Sequence, residues 1–168
     1  MMKKILMILL LMISLCACKG EGVIDKGQHE KYIDVVNQLQ EHQEFLDGSE
    51  FFDITFDSSK IEDAYRFYVI IDNVKIAMYD VVAVAVEKDV DYSNNMAANI
   101  GIFEDNEYSL IPNQYNSEKG FMKGISISGI STKANPVLYL LVEWRNKDRS
   151  ITNREYIKID TTSGAINE

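Results

Sequence analysis

Three hydrophobic rhythms follow one another along the chain. Residues 5–13 are apolar without a break, and Leu15 extends the run. From residue 28 onward the apolar side chains fall near helical spacing: Tyr32, Val35, Val36 and Leu39, then Phe45 and Leu46. Asp47-Gly48 supplies a helix stop, so the spacing predicts an amphipathic helix over 28–48. After residue 49 the period drops to two. Phe52, Ile54 and Phe56 alternate with Asp53, Thr55 and Asp57. Tyr65, Phe67, Val69 and Ile71 alternate with Arg66, Tyr68 and Asp72, Ile70 being the exception. Such alternation marks a strand with one buried and one wet face. Residues 76–86 and 137–144 are apolar at both parities, as in strands covered on both sides. Segments 100–103, 121–128 and 152–159 complete the set, and Asn146-Lys147-Asp148-Arg149 forms the turn before the last.

Seven or eight short strands, one helix and no internal repeat describe a mainly β chain. The predicted fold is an antiparallel, immunoglobulin-like β-sandwich over 49–168 with the helix packed on it or leading into it. The expected core includes Phe52, Ile54, Phe67, Val69, Val84, Leu140 and Trp144. No Cys…Trp…Cys pattern of antibody domains is present, so the immunoglobulin comparison concerns layout only.

The first rhythm has a different meaning. Lys3 and Lys4 precede it, small Ala17 and Cys18 follow it, and its length is about half the ~20 residues a membrane-spanning helix needs. Leu15-Cys16-Ala17-Cys18 resembles the lipobox of bacterial lipoproteins; Cys16 is disfavoured as the acceptor because Leu15 would then precede the cleavage point. The resemblance implies a signal peptide over 1–17, a diacylglyceryl thioether on Cys18, and a lipidated tether over 18–27. It places the domain on the extracytoplasmic face of the cell membrane, held there by acyl chains. The domain is similar in pattern to the small β-sandwich domains of Gram-positive lipoproteins.

Charge narrows the partners. Cleavage before Cys18 removes two of 17 basic residues and none of 26 acidic ones, taking the net charge from −9 to −11. A strongly acidic domain is repelled by nucleic acid and by anionic lipid, so no nucleic-acid role is expected. Lipidated Cys18 would be the last cysteine, leaving no disulfide, thiolate metal site or thiol nucleophile.

Little else carries chemistry. His29 and His42 lie 13 residues apart, about 220° around a helix, and cannot share a metal from it. Asp89, Asp91, Ser93 and Asn95 space their oxygens like the opening of a calcium loop, but Asn94 stands where Gly is needed and Ile100 where a bidentate Glu is needed. They read as a polar loop, with no metal and no cofactor expected. Glu104, Asp105 and Glu107 around Asn106 could work as paired carboxylates on a glycan, or simply form a solvated turn. The stretch 112–120 is long and polar, and with Tyr108 it offers Asn113, Gln114, Tyr115 and Asn116, residue types that make adaptable contacts on rigid sandwiches. These five are the candidate binding residues. The resulting expectation is a non-catalytic, lipid-anchored binding or accessory module, of immunity or envelope-complex type, whose partner is another envelope or secreted protein. The competing expectations are an envelope glycan- or peptide-acting enzyme using carboxylates, and a small-ligand carrier.

Overall fold

The computed structural model describes residues 25–163. Cys18, the signal segment and most of the tether lie outside the described residues. Among the described residues there are nine β-strands and one α-helix, with two short 3-10 turns. Helix α1 is Lys26–Glu41; Asp25 caps it, its carboxylate accepting from the Gly27 N–H. The strands are β1 Asp53–Ile61, β2 Ala64–Asp72, β3 Tyr79–Glu87, β4 Ala98–Ile100, β5 Ser109–Leu110, β6 Phe121–Met122, β7 Ile125–Ser131, β8 Val137–Arg145 and β9 Thr152–Asp160.

Two antiparallel sheets face each other. One has the order β1-β2-β7, the other β4-β3-β8-β9. Read as A, B, E against C′, C, F, G, this is an immunoglobulin-like sandwich layout. β5 and β6 form a small parallel pair inserted between β4 and β7. The inner faces meet in one cluster: Phe67, Val69, Ile71, Ile125 and Ile127 from the first sheet, and Ala83, Ala85, Leu138, Leu140, Val142, Trp144, Ile157 and Ile159 from the second. The Phe67 ring lies over Gly129, its register partner; a Cβ there would come within 2.4 Å of the ring.

The four-stranded sheet is covered on its other face too. Tyr32, Val35, Val36 and Leu39 of α1 form a second cluster with Val82, Val84, Val86 and Leu141. This explains why 76–86 and 137–144 are apolar at both parities: odd and even positions of β3 serve different cores.

Several boundaries differ from the sequence pattern: the strand expected over 100–103 lies at Ala98–Ile100, since Gly101 turns left-handed at φ 82°, and the strand expected from residue 76 starts at Tyr79. The helix ends at Glu41, short of residue 48, because His42 turns extended and the chain joins the sheet edge instead: the Leu46 N–H donates to the Tyr156 carbonyl at 2.8 Å and the Lys158 N–H to the Leu46 carbonyl at 2.9 Å. The segment 121–128 is split into β6 and β7. The two-residue β5 had no periodic signal at all. Of the expected core residues only Ile54 falls short, being half-buried, because β1 is an edge strand with one neighbour. Val84 is buried, but under the helix rather than between the sheets.

Candidate functional site

A β-bulge at the start of β3 organises one end of the sandwich. Tyr79 pairs with Arg145 and Val82 with Glu143, so β3 spends one extra residue there. Asp80 takes the left-handed conformation, φ 52°. The bulge frees the Val81 N–H, which donates to the Tyr108 carbonyl at 2.8 Å. Met78 and Leu110 exchange two 2.8 Å backbone hydrogen bonds, and β5 is thereby stitched to the sheet. The Asp80 carboxylate is held by Arg149 from the β8–β9 turn, which donates through Nε at 3.1 Å and Nη2 at 3.2 Å. The same guanidinium lies 5.2 Å above the Tyr79 ring and 3.7 Å from Glu107.

The loop after β5 is fixed with equal care. The Gln114 N–H donates to the Ile111 carbonyl, and Asn116 and Phe121 exchange two 2.9 Å backbone bonds. The Asn116 side chain accepts from the Lys119 N–H at 3.2 Å. Gly120 closes the turn at φ 67°; a Cβ there would lie 2.4 Å from the Glu107 carbonyl, so the close crossing with 107–109 requires glycine.

This architecture distributes the five candidate residues. Tyr108 is half-buried and lines two adjoining clefts, of about 470 and 200 Å³, which share Asn106, Glu107 and Tyr108. Asn113 is exposed at the rim of a third groove of about 690 Å³, lined by Ile70, Asp72, Val74, Ile111 and Lys123 among others. Gln114 is exposed, and Tyr115 is 62% exposed, the most exposed large apolar side chain among the described residues. Asn116 is half-buried and spent on the turn. The five therefore share one loop end but do not converge on one pocket.

The acids sort likewise. Glu104 accepts from the Gly101 N–H at 2.7 Å, and Glu143, 13% exposed, binds Arg154 at 2.6 Å. Asp80, Glu104, Asp105, Glu107, Glu118 and Glu143 line the two clefts beside Tyr108. Asp80, Glu143 and Arg149 were invisible as a group in sequence, since 69 residues separate Asp80 from Arg149.

At the opposite end, the Glu87 side chain is 4% exposed and contacts Lys133 at 2.8 Å, which raises the lysine pKa through that hydrogen bond and charge. The only hint of Glu87 in sequence is a charge directly after the apolar run. His42 is half-buried and stacks on Tyr156 at 3.8 Å, while His29 is exposed near Tyr32. In the 89–95 run, Asp91 spends both oxygens on Ser93, accepting from its N–H and hydroxyl at 2.8 Å, and its pKa is lowered by them. Among the described residues, no three His, Cys, Asp or Glu side chains are grouped to hold a metal ion, and no helix is long and apolar enough to cross a membrane.

Fold and site together define a helix-backed, immunoglobulin-like β-sandwich with a stitched loop at one end. No family model matches the chain, and neither a curated protein nor a solved structure matches it.

Proposed function

We propose that this protein is a lipid-anchored, extracytoplasmic binding module that acts without catalysis, through the loop end built around Tyr108 and Tyr115. The observation that carries the reading is Tyr115: a large aromatic ring, 62% exposed, at the tip of a loop fixed by paired backbone hydrogen bonds. Held in place before contact, such a ring buries large area at low entropic cost, which is the character of a binding anchor. The acidic clefts beside Tyr108 and the net charge favour a basic protein surface and speed its approach. An immunity or envelope-complex role fits both features. The carboxylates speak for binding rather than hydrolysis, since Asp80, Glu104 and Glu143 are each engaged by a donor of the fold.

Two measurements test the reading. Mass spectrometry of the mature N-terminus should find an acylated Cys18, and Cys18→Ala should leave precursor or release the protein from membranes; a soluble, unacylated mature form refutes the anchor. For the contact, Tyr115→Ala should keep the melting temperature and weaken partner capture by about 30-fold, the effect of losing ~2 kcal/mol at a hot spot. Unchanged capture refutes the site. One observation favours a small-ligand carrier instead, the 690 Å³ groove beside Asn113. A metabolite-extract screen that raises the melting temperature of wild type but not of Ile111→Trp would shift the reading there.

A further inference from the structure

The sandwich has two unlike ends, and α1 connects them in a fixed direction. Lys31, in the first half of the helix, lines the 200 Å³ cleft with Asp80, Gly101 and Tyr108. Gln40, at the other end of the helix, donates to the Val90 carbonyl at 2.8 Å, and His42 and Phe45 border a cavity with Glu87, Lys88 and Asp89. The helix therefore begins at the loop end and finishes at the opposite end, where the β1–β2 turn also lies: Ser58 near that turn donates to Ala134, a neighbour of Lys133.

Seven residue steps separate Cys18 from Asp25 and span at most roughly 25 Å. The 16-residue helix places the opposite end about 24 Å further along. From these facts, and resting on the proposed lipidation of Cys18, we infer that the loop end carrying Tyr108 and Tyr115 faces the membrane surface, and that its partner is the extracytoplasmic surface of an integral membrane protein. A soluble secreted partner would be better met at the far end. The bilayer itself is a poor occupant: acids outnumber the bases Lys31, Lys119 and Arg145 around the two clefts, and the whole chain is net negative, so anionic headgroups are disfavoured there.

The test uses the full lipidated chain in phosphatidylcholine vesicles that carry an energy acceptor on a headgroup. A donor dye is attached in Tyr115→Cys or in Asp63→Cys, the latter on the exposed β1–β2 turn. Transfer at 115 should exceed that at 63 by at least about twofold. Equal or reversed transfer from vesicle-bound protein overturns the orientation while leaving the anchor intact; a chain that does not stay with the vesicles overturns the anchor and the inference together. In intact cells, a photocrosslinker at 115 should give an adduct with an integral membrane protein that the same group at 63 does not give. Adducts with lipid alone or with soluble proteins alone overturn the partner class.

Discussion

The two sheets of this sandwich are built from similar strands and live in different surroundings. The sheet β4-β3-β8-β9 is covered twice, by its partner sheet and by α1. The sheet β1-β2-β7 is covered once; its outer face carries Thr55, Asp57, Ser126 and Ser128. The contrast teaches that the helix is part of the fold's second core, not an appendage to the sandwich. Without α1, Val82, Val84, Val86 and Leu141 would form an exposed apolar face.

The contrast can be broken by truncation, strand by strand. The largest effect is expected at Trp144, 3% exposed between the sheets and edge-on to Phe51 and Phe52: Trp144→Ala should cost about 3–5 kcal/mol in urea unfolding. Next, Leu39→Ala should cost about 2–4 kcal/mol and raise amide exchange in α1 and the 43–46 segment before the sandwich opens. A negligible cost there would make the helix an appendage after all. Ile54→Ala, on the half-buried edge strand, should cost about 1 kcal/mol, less than either. Ser128→Ala on the wet face should stay within about 0.5 kcal/mol.

The smallest effect expected is with pH. Asp91, Asp148 and Asp160 are held below their ordinary 3.8 by hydrogen bonds from Ser93, Ser150 and Thr162 respectively. Their folded pKa lies below the unfolded one, so their contribution is complete above about 3.8 and is lost as pH falls through the lowered values. Tyr92 is raised above 10.0 by burial in the helix-side cluster, and Lys133 above 10.5 by the Glu87 hydrogen bond. Those contributions are complete below the ordinary values and are lost as pH rises through the raised ones. Melting temperature should therefore be flat between about pH 5 and pH 9 and decline on both sides. Tyr92→Phe should soften the alkaline decline, since the phenol that burial raises is then gone from the helix-side cluster. An alkaline limb unaltered in that variant would remove Tyr92 from the account.

Much of the fold was legible in the chain. Period-two alternation identified β1 and β2, because a sheet with one wet face must alternate, and continuous apolar runs identified β3 and β8 as doubly covered. The four helical positions Tyr32, Val35, Val36 and Leu39 are the ones buried in α1. Tyr108 and the 112–120 loop stood out by residue type alone. What sequence could not supply was anything decided between distant segments. The helix stops at Glu41 because backbone groups of Leu46 find partners on β9, more than a hundred residues away. Asp80 accepts a left-handed backbone in a bulge fixed from two other loops, Arg149 holding its carboxylate and the Tyr108 carbonyl accepting from the next N–H, that of Val81. That Asn116, a candidate contact residue, also caps the turn by accepting from the Lys119 N–H was not readable from its residue type. Local patterns record which face of an element avoids water, and that is set residue by residue. Which end of the sandwich the helix starts from, and which acids gather around Tyr108, follow only from the packing of whole elements.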